Sequence, residues 1–341
     1  MGRELVDPRV ESVRCRVCNS SDVHLVLDLH DQPLANDFRP TAEMSMECPR
    51  HPLKLVRCRK CHHAQLSVMV DRRPLFTNYS YRSGTSRTLN DYFGWLARRI
   101  SSEVPAGATP RTILELACND GTQLNHFKTM GWSTFGVDPA ENLVKLARDN
   151  GHTVVCDLWA AVKGKQYSEL PVKVDAVLAQ NVLAHVPNPV DFLVAVANMM
   201  HEKSRAYMQT SQCEMFANGQ FDTVYHEHIS FFSPTSFAKS ASLAGLRIVK
   251  YEITPIHGGS CFVTLVKDPM FASDGSLERA ITVDEARGQL GDVFYTQYRG
   301  QAMATRRWLV ETLDGVAEQP ADIVGYDSLY DGLVPLYFRR S

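Results

Sequence analysis

Residues 221–233 read FDTVYHEHISFFS and set Tyr225, His226, Glu227 and His228 in an unbroken row. Histidine titrates near neutral pH, tyrosine can donate a hydrogen bond to a developing oxyanion, and a carboxylate can fix a histidine tautomer. The row therefore holds the parts of a proton-transfer station. It equally holds those of a hydrogen-bonded structural cluster or of a metal-chelating pair. The metal reading ranks last, because the spacing is not that of a helical H-E-x-x-H and no other motif supplies a third ligand. The base reading ranks first, with His228 as base and Tyr225 and Glu227 shaping its surroundings, while His226 reads as a packing or capping residue. His185, in NVLAHV, follows the same logic, against the alternative of an ordinary histidine at a helix start. A geometric condition comes with this reading. On a straight strand, Tyr225 and Glu227 share one face and the two histidines the other. Tyr225 meets His228 only through a turn or the i to i+3 spacing of one helical turn. The stretch is thus expected to be a loop at a strand C-terminus, just ahead of a helix capped by Ser233, with Pro234 in its first turn and Gly245 closing it.

A second chemistry lies near the start of the chain. Cys15 and Cys18 form one C-x-x-C pair and Cys58 and Cys61 another, out of nine cysteines in all. In a reducing compartment, paired thiolate knuckles read as a metal site rather than as disulfides. Four sulfurs satisfy tetrahedral zinc and leave no open position, so the site is expected to be structural. Buried free cysteines are the bland alternative. The nearby His51, His62 and His63 read as surface or packing residues. Short β-like runs, VHLVLDL and HPLKLVRC, lie between the knuckles, and residues 1–75 are expected to form a small zinc-binding module.

The elements that must position these residues follow from Arg111 onward. RTILELACNDGTQL is a short apolar run ending in a turn, STFGVDPA a second strand ending in an acid, HTVVCDL a third, VDAVLAQNVLAHV a fourth and RAYMQTS a fifth, with helix-compatible segments between the earlier ones. Such alternation implies an α/β fold, a doubly wound, Rossmann-like parallel sheet that binds its ligand at the strand C-termini. The first turn, ELACNDG, has one glycine and two acids where a dinucleotide site wants G-x-G-x-x-G and a phosphate cradle. Adenosylmethionine has no phosphate but carries an ammonium, a sulfonium and a ribose diol, which acidic partners suit. Glu115 and Gly121 fall in this turn. Asp138, ending the second strand, is placed to accept both ribose hydroxyls, and Asp157, after the third, is a candidate for the adenine amine. Glu115 as a salt-bridge residue and Asp157 as a helix cap are the structural alternatives.

Composition narrows the partners. The 341 residues are 44% apolar and 22% charged with a net charge of −2, which argues against nucleic acid or an anionic membrane as the main partner. No apolar run approaches the ~20 residues that span a bilayer, and the charged N-terminus lacks the apolar core of a signal peptide. A cytoplasmic protein, monomeric or a small homo-oligomer, is expected.

CRVC and CRKC, ELACNDG, QNVLAHVPN, FDTVYHEH and PIHGGS occur in this order, and over about residues 13–265 the chain resembles the sugar C-methyltransferases that act on nucleotide-linked 4-keto deoxyhexoses in antibiotic-sugar pathways. The resemblance implies a zinc-binding N-terminal domain with Cys15, Cys18, Cys58 and Cys61 as ligands, and a central domain for S-adenosyl-L-methionine. Glu115, Gly121, Asp138 and Asn181 would contact the cofactor. Tyr225, Glu227 and His228, with His185 beside them, would serve the chemistry, and Tyr79, Tyr81 and Ser83 of NYSYRSGTSRT would face the nucleotide-sugar, dTDP-linked by expectation. It divides the chain into 1–75, a methyltransferase domain over 76–245, and a C-terminal α/β segment over 246–341. That last segment, ending IVGYDSLYDGLVPLYFRRS where the family has a Gly-rich pattern, is expected to be truncated or divergent. Two other outcomes are a methyltransferase of another small acceptor and a silent homologue acting as a binding protein.

Overall fold

The computed structural model describes residues 13–35, 39–71, 82–105, 110–159, 167–211, 213–317, 323–327 and 334–338. Two of the expected substrate contacts, Tyr79 and Tyr81, lie outside the described residues.

Among the described residues, thirteen strands run in chain order: β1 (Val23–Gln32), β2 (His51–Cys58), β3 (Ala64–Leu66), β4 (Thr112–Leu116), β5 (Ser133–Asp138), β6 (Thr153–Cys156), β7 (Val174–Gln180), β8 (Met200–Ser211), β9 (Ser230–Phe231), β10 (Arg247–Thr254), β11 (Ser260–Val266), β12 (Ile323–Asp327) and β13 (Val334–Phe338). The described helices are α1 (Ala42–Met46), α2 (Arg87–Glu103), α3 (Thr122–Thr129), α4 (Glu141–Asp149), α5 (Pro189–Met199), α6 (Pro234–Leu243), α7 (Ser276–Ala286) and α8 (Asp292–Ala317).

The central sheet has the order β10-β11-β8-β7-β4-β5-β6. Strands β6, β5, β4, β7 and β8 are parallel, and β11 runs antiparallel to β8 and to β10. Because side chains alternate along a strand, each strand feeds two cores. On β7, Val177 and Ala179 pack into one buried cluster with Phe192, Leu193 and Phe237, while Ala176 and Leu178 pack into the other with Leu96, Leu124 and Phe127. Period two places Glu115 of β4 on the face of Ile113, which belongs to the second cluster.

This sheet runs past residue 245. Strands β10 and β11 complete it, so residues 247–266 pair into the same sheet as β4 through β8. β11 bonds along β8 over Ser260–Leu265 and leaves β8 no free edge there.

A four-stranded antiparallel sheet, β1-β2-β3-β9, is the second unit. Three of its strands come from the cysteine-bearing region and the fourth directly follows the His228 stretch. Its apolar face buries Leu27, Leu55 and Leu66 against Val224, Ile229 and Phe231, and against Tyr295 and Tyr298 of α8. Arg299 of α8 donates to the carbonyls of Leu25 and Val26, and Arg57 pairs with Asp292 at 3.1 Å. The N-terminal module is therefore knitted to residues 213–231 and 292–302, not strung ahead of them. Strands β12 and β13 form a two-stranded antiparallel hairpin.

Candidate active site

The four cysteine sulfurs lie within 4.8 Å of one another, with Cys15 and Cys61 3.4 Å apart and Cys18 and Cys58 3.6 Å apart. A tetrahedron of thiolates around zinc has sulfur–sulfur edges of about 3.8 Å, given Zn–S near 2.3 Å, so the cluster fits that ion. Backbone N–H groups of Cys18 and Lys60 point at the sulfurs of Cys15 and Cys58, as each two-residue spacer requires. Crowding sets the protonation. The hydrogen bond with Cys15 pulls the Cys58 thiol down, and bonding within the cluster pushes Cys15 and Cys61 up. A divalent cation relieves this by letting all four ionise. Among the described residues these cysteines alone gather as a metal-holding group. The neighbouring histidines are engaged elsewhere: His62 with Arg57, His63 with Ser230, and His51 against the His226 ring.

At the carboxyl ends of β4, β5 and β7 a second site forms. The turn after β4 passes through three left-handed residues, Ala117, Asn119 and Gly121. Asp138 holds this turn, accepting from the Asn119 backbone N–H at 2.9 Å and from that of Ala140 at 2.9 Å. Its burial raises the carboxyl, and those two N–H groups work against the rise. Each carboxylate oxygen has two lone pairs, so both keep one acceptor site for a ribose diol. Glu115 is fully buried, and burial first, then the neighbouring charges of Asp138 and Asp120, raises its pKa well above the usual carboxylate range. Glu115 Oε2, Gln180 Oε1 and Asn181 Oδ1 are buried with no hydrogen-bond partner among the described residues. These acceptors, at the neighbouring carboxyl ends of β4 and β7, offer a socket for hydrogen-bond donors, and an ammonium group has donors and nothing else. The socket thus fits the amino-acid end of adenosylmethionine.

Other expected residues stand differently. A Cβ on Gly121 would meet the His152 ring at 2.8 Å and Ala147 at 3.1 Å, so this glycine is required by its left-handed φ of 79° and by close packing on α4. Its bare face looks at protein. Asp157 directly follows β6, accepts the Tyr167 hydroxyl at 2.5 Å and bonds the Leu158 N–H. Ser83 sits on the cofactor turn itself: its N–H donates to Asn119 Oδ1, and the Gly84 N–H donates to Asp120 Oδ2. Gly84 has no room for a Cβ, which would lie 2.6 Å from Thr122 Oγ1. Asp120 was noted only as an acid of the turn, and Asn119, Gly84 and Gln180 are residues that sequence reasoning passed over. Asn119, Asp120 and Gln180 lie inside motifs already singled out, whereas Gly84 shows its need only in the packed structure.

The third constellation is the His228 stretch. It is a turn: the His228 N–H donates to the Tyr225 carbonyl at 3.1 Å, and the Tyr225 hydroxyl stands 3.1 Å from His228 Nε2. His228 Nδ1 lies 3.2 Å from the Thr223 carbonyl. A carbonyl can only accept, so Nδ1 carries the proton and Nε2 presents a lone pair, which the Tyr225 hydroxyl caps. Here a main-chain carbonyl fixes the tautomer, a role the sequence reading gave to the Glu227 carboxylate. Glu227 is buried, and its own carbonyl accepts from His185 Nδ1 at 2.9 Å. His185 closes a 3₁₀ turn over Leu183–His185, and its ring centroid lies 4.9 Å from that of His228. His226 faces away, with Nε2 on the His51 carbonyl, which removes the metal-pair geometry.

Backbone pairing joins this turn to the socket. Ile229 N–H donates to Ala184 O, and Asn181 N–H to Gln209 O on β8. His185 therefore stands on the loop that begins with Asn181, and the His228 turn is paired with that loop at the carboxyl end of β7. A surface cavity of about 470 Å³, lined by Glu214, Lys250, Tyr251 and Asp284 among others, does not include these residues.

Comparisons with known proteins agree with this layout. A family model for a zinc binding domain matches residues 15–76 and one for a methyltransferase domain matches residues 89–251. C-methyltransferase NovU of Streptomyces niveus is 25% identical over 318 residues, covering 92% of this chain and 74% of that protein. The ubiquinone biosynthesis O-methyltransferase of Bordetella pertussis is 26% identical over 166 residues, 45% of this chain and 67% of that protein. Among solved structures, the magnesium protoporphyrin IX methyltransferase ChlM of Synechocystis PCC 6803 superposes with a TM-score of 0.40 at 14% identity, over 52% of this chain and 79% of that one. The four-cysteine cluster, the sheet order, the two family models and the NovU match together show an adenosylmethionine-dependent methyltransferase with a zinc-binding domain ahead of its methyltransferase domain.

Proposed function

We propose that this protein methylates a carbon next to the ketone of a nucleotide-linked 4-keto-deoxysugar, in the kind of deoxysugar pathway that supplies antibiotic biosynthesis. One observation carries the reading: the Thr223 carbonyl holds His228 in the tautomer whose Nε2 bears the lone pair, facing the Tyr225 hydroxyl. A carbon acid next to a ketone needs such a base together with a donor for the oxygen that becomes negative. His228 Nε2 takes the α-proton, and the C–H electron pair moves toward the ketone oxygen to give an enolate. In the resting state the Tyr225 hydroxyl proton is committed to Nε2. Nε2 has a single lone pair, so that hydroxyl turns off it as the α-proton arrives and, with Nε2 then protonated, donates to the enolate oxygen. Adenosylmethionine would supply an electrophilic methyl group on a sulfonium to the enolate carbon, the S–CH₃ electron pair staying on sulfur. Glu115, Gln180 and Asn181 would hold the ammonium end and Asp138 the ribose. Gly121 acts here through the shape of the turn, and Asp157 is assigned to the adenine edge. His185, Glu227 and Ser83 border the reacting space, and Tyr79 and Tyr81 are assigned to the nucleotide-sugar by resemblance.

NovU, named a C-methyltransferase, matches 92% of the chain, a span that necessarily includes residues 223–229, whereas the O-methyltransferase match covers 45%. The test is an acceptor screen across nucleotide-linked 4-keto sugars, read by mass, with solvent deuterium followed at the carbon beside the ketone. Carbon methylation with exchange supports the reading. Methylation of a hydroxyl group, or of an acceptor without a ketone, would overturn it.

A further inference from the structure

The zinc knuckles lie outside the reacting centre, yet the turn that carries His228 is built onto them. Three residues after Cys61 the chain enters β3, and β3 pairs with β9: Ala64 opposite Phe231, Gln65 opposite Ser230, and the Leu66 N–H on the Ile229 carbonyl at 3.1 Å. The Cys58 N–H meanwhile donates to the His63 carbonyl, which fixes where β3 begins relative to the second knuckle. His226, inside the row itself, bonds the His51 carbonyl at the start of β2.

Gln65 ties the first knuckle into the same strand. It is 1% exposed, and its amide oxygen accepts from the Arg16 N–H at 2.8 Å while its amide nitrogen donates to the Arg14 carbonyl at 3.0 Å. These two bonds bracket Cys15. One side chain therefore joins the backbone around a zinc ligand to the residue opposite Ser230, two positions after His228. Without a metal, the sulfurs of the two C-x-x-C pairs meet through weak S–H contacts, while Arg59 N–H on the Asp22 carbonyl and the pairing of Val23 with Cys58 hold the backbones alongside.

We infer that the zinc module is a positioning element of catalysis, in which Gln65 transmits closure of the two knuckles through the β3–β9 pairing to the turn that holds His228 against Tyr225. This rests on the reading of His228 as the base. Gln65 is a positioning residue and touches no reacting atom. A purely structural module would change how much protein folds, and would leave the folded fraction with an unaltered base.

The test compares the zinc-loaded wild type with zinc-loaded Gln65→Leu and Gln65→Glu, each checked for metal content. Nitrogen-15 NMR of the His228 ring reads the tautomer, calorimetry reads adenosylmethionine binding, and steady-state kinetics separate kcat from acceptor KM. In Gln65→Leu the His228 signal should lose its single-tautomer pattern and kcat should fall about tenfold or more, as one misplaced buried network allows. Cofactor affinity should not change. Gln65→Glu keeps the acceptor for Arg16 and loses the donor to Arg14, so it should fall between. Wild-type NMR and kcat in zinc-loaded Gln65→Leu would overturn the inference. Should that variant not retain zinc, Ser230→Ala, which removes only the His63 contact at 3.2 Å, carries the same readouts and the same criterion. Failure of the base reading shows separately, as normal turnover in His228→Gln while the NMR pattern still follows Gln65.

Discussion

Replacing His228 with glutamine is the sharpest perturbation the geometry offers. Glutamine can place its amide oxygen near the former Nε2 and still accept from the Tyr225 hydroxyl, now 3.1 Å from that nitrogen. It keeps the contact and loses the basicity. A positioned base contributes ~10²–10⁴-fold, or about 3–5 kcal/mol of barrier, so kcat should fall by that factor. Cofactor affinity should hold, because Glu115, Asp138 and Gln180 stand on β4, β5 and β7 rather than on this turn. Tyr225→Phe calibrates the result. If the hydroxyl only steers His228, its loss removes one neutral hydrogen bond, worth about 0.5–1.5 kcal/mol, and slows the reaction by roughly tenfold at most. If it turns to the enolate oxygen once His228 is protonated, the loss should reach the ~10²–10³-fold of a missing oxyanion donor. The assay is twofold: solvent-deuterium exchange at the carbon beside the acceptor's ketone without methyl donor, and methyl transfer with it. His228→Gln should lose both. Tyr225→Phe should slow both, since exchange also passes through the enolate. Normal exchange and methylation in His228→Gln would refute the assignment of the base.

Three further outcomes follow from the same coordinates. Glu115 has a raised folded-state pKa. The folded protein thus holds a proton that the unfolded chain releases near pH 4, and the stability this group contributes is complete below that value and declines as pH rises toward its folded pKa. Glu115→Gln should flatten that decline in cofactor-free melting curves. A cationic cofactor reverses the preference, so wild-type binding should release about one proton, counted by calorimetry in buffers of differing ionisation enthalpy, and Glu115→Gln should release none. Gly121→Ala should destabilise by about 2 kcal/mol or more, from a left-handed φ that L-residues resist plus the 2.8 Å approach to His152; an unchanged denaturation midpoint would contradict the packing account. Metal analysis should find about one zinc per chain, and replacing Cys58 and Cys61 together with serine should abolish it and lower the melting temperature.

Much was legible before any coordinates. The alternation of apolar runs with helical segments announced a parallel sheet because both its faces are buried, and β4 through β8 lie where those runs do. The C-x-x-C pairs announced a metal cluster because few other uses of thiols in a reducing compartment share that spacing. Ser233, Pro234 and Gly245 marked α6, since capping is local chemistry: Ser233 Oγ accepts from the Ser236 N–H, and Gly245 takes φ 72°.

The remainder depended on long-range pairing, which local sequence does not encode. Nothing in FDTVYHEH says that Thr223 fixes the tautomer of His228, because a main-chain carbonyl is common to every residue and only the turn selects this one. Nothing in CRKCHHAQL says that Gln65 brackets Cys15, or that β3 finds its partner after residue 229. Strands β10 and β11 join the central sheet from beyond residue 245 because an antiparallel hairpin can complete a sheet from any point later in the chain. From its residues alone this protein determined which chemical groups it would bring to the reaction. The tertiary structure decided which nitrogen of His228 meets a carbonyl, which acceptors lie buried without donors, and which strand pairs beside the His228 turn.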